Sequence, residues 1–373
     1  MNIRDAKSVD ERRALIEKTL GISLENVGKL IVDNPDSIHC ENLIGAVSLP
    51  LGVAGPISLI SSEKTSEHFI PLATTEGALV SSVSRGAKII TLSGGARVDI
   101  ENVGPTRGPV FETTGILESR RLKRYIEDHL GELKEIAAST SRHLQLHSID
   151  VRMNGKNVYL RCRFDTDEAM GMNMVTIATD AVVSHIEKES GSTCLAVAGN
   201  YDVDKKPSWL NFIEGRGRMC SAEVVIPAEI VLAELHVEVS QFVKTVIAKC
   251  WGGSMISGSM GFNAHFANIV AAFFAATGQD IAHVVEGSLG ITTAELLENG
   301  DLYFSVSMPD VMLGTVGGGT ELLSQKEARS ITSTNTADEL SQVLVAAVLA
   351  GELSLLASIT EKTLGKTHKK LGR

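Results

Sequence analysis

The chain has 373 residues, 43% hydrophobic and 21% charged, with 45 acidic against 35 basic side chains and a net charge of −10. That length allows two or three domains and a large core, while the negative balance argues against nucleic acid and requires any polyanionic ligand to be met by local basic clusters. The five cysteines, Cys40, Cys162, Cys194, Cys220 and Cys250, are odd in number, widely spaced and without a CxxC pair, which predicts reduced, buried thiols and no disulfide framework or zinc knuckle.

Residues 1–40 place Leu15, Ile16, Leu20 and Ile22 at helical spacing among charges, predicting a small helical N-terminal unit with no apolar signal segment. From Glu41 the sequence turns Gly-rich and weakly charged. Over 109–198 the pattern gives an extended start near 110–112, a charged helix over 117–138 and two strands over 145–153 and 157–164 joined at Asn154-Gly155. A helix over 169–187 and a strand over 193–198 follow. That order is β-α-β-β-α-β, a ferredoxin-like unit. Gly-rich sequence of the same style flanks it, so 109–198 reads as an insertion in a larger domain of 41–108 and 199–373. In that domain 264–277 is almost wholly apolar, which predicts a helix buried on all sides that delivers Asp280 to the interior. No window reaches the ~18 uninterrupted apolar residues of a membrane span. The fold class is α+β: a large helix-centred domain, an inserted ferredoxin-like small domain and a short helical N-terminal unit.

The segment richest in chemistry is Gly199-Asn200-Tyr201-Asp202-Val203-Asp204-Lys205-Lys206-Pro207-Ser208. Pro207 biases Lys206 away from helical geometry, so the two lysines are expected in extended chain, placed to neutralise a carboxylate or an oxyanion. Alone, such a loop reads as a solvated surface turn. Its company is Thr74-Thr75-Glu76-Gly77, Gly278-Gln279-Asp280 and Lys366-Thr367-His368, which add two carboxylic acids and an imidazole in settings where proton affinities are tunable. Taken singly, Glu76 reads as a helix-start carboxylate and His368 as decoration near a basic end. His143 and His147 stand four apart, but no acid or thiol nearby completes a metal ligand set.

Further segments fall in a fixed order with these: Glu41-Asn42-Leu43-Ile44-Gly45, Leu51-Gly52-Val53-Ala54-Gly55-Pro56, Ala169-Met170-Gly171-Met172-Asn173-Met174, Ile213-Glu214-Gly215-Arg216-Gly217, Asn263-Ala264-His265, Gly314-Thr315-Val316-Gly317-Gly318-Gly319-Thr320 and Gly351-Glu352-Leu353-Ser354-Leu355. Over nearly the whole chain this series resembles the catalytic part of the 3-hydroxy-3-methylglutaryl-CoA reductase family, in its class I-like form. The resemblance implies NADPH-dependent, four-electron reduction of 3-hydroxy-3-methylglutaryl-CoA to mevalonate and CoA. It assigns catalysis to Glu76, Lys205, Asp280 and His368. Lys205 stabilises the oxyanion of each hydride transfer, Glu76 protonates the aldehyde oxygen, Asp280 sits between them, and His368 protonates the departing thiolate. It assigns the acyl group to Ser82, Arg107, Asp204, Lys206, Lys249 and Asn268, and CoA to Arg85, Lys88 and His265.

For the dinucleotide the resemblance points to Ser141, Arg142, Glu168, Ala169, Met170, Gly171, Met172 and Asn173. A helix start there offers free N–H groups and a glycine to a pyrophosphate, and Arg142 matches the family's contact with the 2′-phosphate, favouring NADPH over NADH. No metal is implied. A homodimer or dimer of dimers with active sites between subunits is implied, as is a cytoplasmic location without the membrane anchor of animal and fungal relatives, similar to stand-alone archaeal and some bacterial enzymes. Three positions depart from the family pattern: Glu168 stands for an aspartate, Ala198 for a serine that touches substrate in animal relatives, and His283 for a glutamine beside Asp280. Two other readings remain. One is an NAD-linked enzyme running oxidatively from mevalonate, whose members lack this form of the lysine loop. The other is a catalytically silent CoA or dinucleotide sensor, which has no use for all four catalytic groups.

Overall fold

The computed structural model describes residues 8–20, 23, 25, 40–62 and 64–362. His368 and Ile22 therefore lie outside the described residues. The N-terminal unit contains a helix, Val9–Leu20, with Asp10 and Glu11 in its first turn and Lys18 in its last, the charge order that the helix dipole favours.

The strands form two sheets. The larger runs in the order Gly261–Phe262, Gly290–Leu296, Leu302–Val311, Arg216–Ile226, Ala96–Gly104, Leu51–Ser61 and Lys64–Ala73. It is mostly antiparallel, with parallel pairing between Leu51–Ser61 and Ala96–Gly104 and between Gly261–Phe262 and Gly290–Leu296. The smaller sheet has Gln145–Asn154 at one edge, then Asn157–Asp165, then the short strands Thr106–Arg107 and Val110–Glu112 along one line, and Thr193–Ala196 at the other edge. Numbered from Val110–Glu112, that is the order 4-1-3-2 of a ferredoxin-like unit, all antiparallel. Helix Met172–Ser190 and the helices Ile116–Asp128 and Leu130–Ala138 bury their apolar stripes on this sheet, around Phe111, Leu122, Leu160, Phe164 and Val182.

Local chemistry moves several boundaries from their expected places. The single helix expected over 117–138 is broken at His129, whose backbone leaves helical geometry (φ −107, ψ 17) while its Nδ1 bonds the carbonyl of Tyr125 at 2.8 Å. The hairpin loop is Gly155-Lys156, because Asn154 pairs with Asn157 and the positive φ of 61 falls on Gly155, as a turn with glycine first requires. The next helix starts at Met172: the Thr166 hydroxyl bonds the Ala169 carbonyl, and Gly171 takes φ 80 at the N-cap. A Cβ at Gly171 would stand 2.4 Å from Thr166, so packing already demands the glycine. Cys40 is exposed, against the expectation of buried thiols, whereas burial pushes the Cys162 and Cys250 thiols up to about 12.

The helix at the centre of the large core is Ala337–Thr360. Its N-terminus carries a capping box, Thr336 with Glu339, and its length is about 36 Å at 1.5 Å per residue. Composition and length would suit a membrane span, but it is buried among the larger sheet and the helices Leu79–Leu92 and Phe266–Thr277. Helix Phe266–Thr277 is not buried all round, since Ala267 is exposed. Small residues let the helices approach: a Cβ at Gly86 would lie 1.9 Å from the Ala350 carbonyl oxygen, and one at Gly351 2.3 Å from Ile269. Backbone cannot move aside as a flexible side chain can. Gly86→Ala should therefore force the two helices apart and lower the unfolding free energy by at least about 2 kcal/mol; an unchanged midpoint in urea would show that the contact yields freely.

Candidate active site

Five elements meet around the buried guanidinium of Arg216, the first residue of strand Arg216–Ile226. Its side chain is wholly buried. Its NH1 donates to Glu286 at 2.9 Å, its NH2 to Asp204 at 2.8 Å and its Nε to the Thr106 hydroxyl at 3.0 Å, and NH2 also lies 3.3 Å from the sulfur of Met172. Beside it Arg107 pairs with Asp202 at 3.2 Å, stands 3.9 Å from Asp204 and donates to the Thr176 hydroxyl at 2.7 Å. The two arginines thus tie the lysine loop to the first turns of helix Met172–Ser190. Burial raises the Asp202 carboxyl above its ordinary value, with Arg107 and Arg216 pulling it back.

The loop itself is not extended. Asn200, Val203 and Lys205 all have left-handed backbone, at φ 65, 54 and 54, and the amide of Lys205 donates to Glu286 at 3.2 Å. That conformation turns the Lys205 ammonium onto Asp280, with Nζ 2.8 Å from the carboxylate. Lys206 is exposed and, among the described residues, bonds only the Asp204 carbonyl, at 3.4 Å. Asp280 is not delivered to the interior. Gly278, at φ 74, reverses the chain so that Gln279 goes inside and bonds Gly314 in both directions, while Asp280 stays 38% exposed. Burial would raise its carboxyl, but the Lys205 ammonium, the Ala282 N–H and His283 more than offset this and hold it below its ordinary value.

A second cluster lies along helix Leu79–Leu92. Ser82, Arg85 and His265 line a cleft of about 250 Å³ together with Glu76, Ser354 and Ser358. Arg85 donates to the Ser354 hydroxyl and carbonyl and to Ser358, at 3.0, 2.5 and 2.8 Å, and Ser82 donates to Ser354 at 3.0 Å. Burial lowers the Arg85 value, partly opposed by Glu361. Lys88 is turned away and pairs with Glu234 at 2.7 Å. Glu352, wholly buried in the central helix, accepts from the amides of Ala264 and His265, from the His265 ring and from Thr292, at 2.8, 2.7, 2.9 and 2.7 Å, and so fixes His265.

Glu76 is exposed and accepts from Asn268 at 2.7 Å. Asn268 is near the start of helix Phe266–Thr277 and Asp280 is beyond its end. The nine residue steps between Asn268 and Thr277 make about 14 Å of axis. Among the described residues no hydrogen bond or ion pair joins Glu76 to Lys205 or Asp280, so within one chain Asp280 does not sit between the other two. Lys249 stands exposed on the π-helical stretch Ile247–Gly253.

At the start of helix Met172–Ser190 there is no acidic residue in the first turn and no side-chain cap. Ser141 reaches the Met174 sulfur at 3.7 Å, which sets Arg142 beside that turn, and Arg142 donates to His143, which meets Asp167 at 3.1 Å. The Glu168 carboxylate accepts from the amide of Ala337 at 2.5 Å and from Thr315 at 3.2 Å; its extra methylene reaches the central helix.

Sequence reasoning gave no role to Arg216, Glu286, Asp310 or Glu352. Their signal was charge in apolar or Gly-rich strings, such as Arg216 between two glycines. Asp204, His283 and Glu286 turn ligand atoms to within 4.8 Å of one another, but the Arg216 guanidinium already bonds both carboxylates at that spot.

The family pattern described as hydroxymethylglutaryl-coenzyme A reductase matches residues 8–373. The chain is 44% identical to the 3-hydroxy-3-methylglutaryl-coenzyme A reductase of Methanothermobacter thermautotrophicus, over 98% of this chain and 94% of that one. It is 45% identical to that of Methanocaldococcus jannaschii, over 97% and 92%. The chain belongs to the hydroxymethylglutaryl-coenzyme A reductase family. Its fold is similar to that of a class II 3-hydroxy-3-methylglutaryl-CoA reductase from Streptococcus pneumoniae solved with NADPH in open conformations. That match has a TM-score of 0.70 at 21% identity and covers 96% of this chain and 99% of that one.

Behind Arg216 in this family member lies Asp310, wholly buried, accepting from Asn211 at 2.6 Å, with no partner for its other oxygen among the described residues. Burial, helped by the charge of Glu286, raises its carboxyl well above the ordinary 3.8 despite Arg216, Asn211 and Arg161. Folding therefore takes up a proton here, and the stability this group provides is complete below 3.8 and is lost as pH rises toward the raised folded value. Asp310→Asn keeps the shape without titrating. Between about pH 4 and about pH 7 the difference in unfolding free energy should shift in favour of the asparagine variant; a difference independent of pH in urea titrations would contradict a protonated Asp310.

Proposed function

We propose that the protein reduces 3-hydroxy-3-methylglutaryl-CoA to mevalonate and CoA with NADPH, as a mevalonate-pathway enzyme. The observation that carries this is the Lys205–Asp280 pair, held by a strained loop that Arg107 and Arg216 clamp to the start of helix Met172–Ser190. NADPH supplies hydride when bound. The residues present fit it: an uncapped helix start free of acidic side chains attracts a pyrophosphate, and Arg142 beside that turn suits a 2′-phosphate. Ser141, Arg142 and residues 168–173 would hold it.

Lys205 is aimed to stabilise the oxyanion that develops on the thioester and then the aldehyde, a role worth roughly 3 kcal/mol by comparison with other oxyanion donors. Asp280 orients the ammonium. Arg107, Asp204 and Lys206 suit the carboxylate and hydroxyl of the acyl group, while Arg85 and His265 line a cleft suited to CoA. Glu76 is the acid for the aldehyde oxygen, and His368 the group that protonates the thiolate.

An acid that works near neutral pH needs burial, and the exposed Glu76 of one chain lacks it. We place the missing wall on a second copy, in a homodimer or dimer of dimers whose sites combine Glu76, Ser82, Lys249 and Asn268 of one chain with the Lys205 loop of its neighbour. The exposed apolar run of Val47, Leu49, Leu51 and Val53 supports such a contact. The division into an N-terminal unit of 1–40, a large domain of 41–108 and 199–373 and a nucleotide domain of 109–198 is supported by the two separate cores. Free thiols suit a cytoplasmic location. Class I-like character is supported by the Asp204-Lys205-Lys206-Pro207 form of the lysine loop, which the degradative relatives lack.

The purified chain should oxidise NADPH in the presence of the thioester, and Glu76→Ala and Lys205→Ala should each abolish it. Mixed after subunit exchange, the two inactive variants should regain about a quarter of the parent's activity, because half the dimers are hybrid and each hybrid has one intact site. No recovery despite exchange would place both residues in one chain's site. Arg142→Ala should weaken NADPH far more than NADH, since only NADPH loses a charge-assisted contact. Equal loss for the two cofactors, measured as kcat/KM, would remove Arg142 from the 2′-phosphate.

A further inference from the structure

The short helix Trp209–Glu214 follows the lysine loop directly. The Ser208 hydroxyl accepts from the Leu210 amide at 3.1 Å and caps its first turn. Trp209 and Ile213, four apart on one face, stay exposed, so Asn211 falls on the opposite face, where it is wholly buried. A buried primary amide has two N–H donors and an acceptor oxygen to satisfy. Asn211 uses all three: Nδ2 donates to the Val203 carbonyl at 3.0 Å and to the Asp310 carboxylate at 2.6 Å, and Oδ1 accepts from NH2 of Arg161 at 2.9 Å. These partners fix which way the amide faces, because a guanidinium only donates and a backbone carbonyl only accepts.

Val203 is the loop residue least suited to its own backbone: β-branched, buried and left-handed at φ 54. Its neighbours are gripped by their side chains, Asp202 by Arg107 and Asp204 by Arg216. Val203 offers no polar side chain, so a hydrogen bond can grip it only through its backbone. Its amide donates back to the Asn200 carbonyl at 3.2 Å, within the loop, and its carbonyl goes to Asn211. The preceding carbonyl, that of Asp202, accepts from the Thr106 hydroxyl at 2.9 Å. Two successive carbonyls just before Lys205 are thus clamped by buried side chains, one from the smaller sheet and one bonded to Arg161 of that sheet's strand Asn157–Asp165.

Resting on the function proposed above, we infer that Asn211 is a positioning residue for both hydride transfers: by holding the Val203 carbonyl it keeps the loop on the left-handed course that sets the Lys205 ammonium on Asp280, and by accepting from Arg161 it ties that course to the smaller sheet. It acts through the backbone two residues before Lys205. Without the amide, the Val203 carbonyl is a buried acceptor with no donor. Val203 then returns to the extended region that a β-branched residue prefers, and Lys205 leaves Asp280.

Two variants of the full-length protein test this. Asn211→Asp keeps the size of the side chain and the acceptor for Arg161 but removes both donors. Asn211→Ser removes the amide and leaves room for water, so the test does not hang on the folding of one variant. In hydrogen exchange read by mass spectrometry, residues 199–208 should exchange roughly tenfold faster than in the parent, while the central helix Ala337–Thr360 keeps the parent's rates. In kinetics, kcat per folded molecule, with the folded fraction taken from urea curves, should fall roughly tenfold or more for the thioester and for the free aldehyde alike, since Lys205 serves both transfers. NADPH affinity measured without thioester should stay within about threefold of the parent's. A residue that only supports the fold would lower the urea midpoint and leave loop exchange and kcat per folded molecule unchanged. A parent chain without thioester-reducing activity refutes the proposed function, and this inference with it. An active parent whose variants show the parent's loop exchange, or a kcat per folded molecule within about twofold of it, overturns this inference alone.

Discussion

The arrangement depends on one buried cation. Arg216 starts the central strand of the larger sheet and reaches Asp204 in the lysine loop, Glu286 after helix Phe266–Thr277, Thr106 in the smaller sheet and Met172 at the start of its helix. A guanidinium offers five donors in a fixed plane, which lets one side chain fix the relative positions of elements belonging to two cores. Burying it without partners would be prohibitive. Each partner is therefore also a constraint: removing Glu286 or Asp204 would leave a desolvated positive charge as well as a gap.

That network also explains what sequence could and could not disclose. The β-α-β-β-α-β order was legible from periodicity and turn residues, because each signal is local: alternating strands, an Asn-Gly pair, a charged helix. What moved boundaries was tertiary or hydrogen-bonded detail, such as the His129 break and the Thr166–Ala169 bond that delays the next helix. The all-round burial expected of 264–277 failed for a related reason, since Ala267 is exposed. An apolar run such as 264–277 reads as buried on every side, but Gly351 and Gly86 show that Ala337–Thr360 is the helix that others approach most closely.

For the site, motif reading singled out the groups proposed to meet substrate but not the ones that hold them in place. Lys205 and Asp280 were legible and do meet. Glu76 was legible, yet its distance from Lys205 follows from the length of a helix between their partners, which no motif encodes. Arg216, Glu286 and Asp310 were missed because a charged residue in an apolar string is ambiguous until its burial and partners are known. The preference for extended geometry before Pro207 was overridden at Lys205 by one amide bond to Glu286.

Three left-handed residues in a six-residue stretch, one of them the β-branched Val203, are unusual in a loop with no glycine between Asn200 and Lys205. Each costs of order 1–3 kcal/mol. Nothing in the loop's own sequence offsets this, so its shape is borrowed from Arg107, Arg216 and Glu286 around it. Such a segment is a natural weak point in the hierarchy of local openings. On heating, the lysine loop would relax before either core melts, so loss of function would precede loss of fold, and the working temperature would be set by one loop rather than by the stability of the whole.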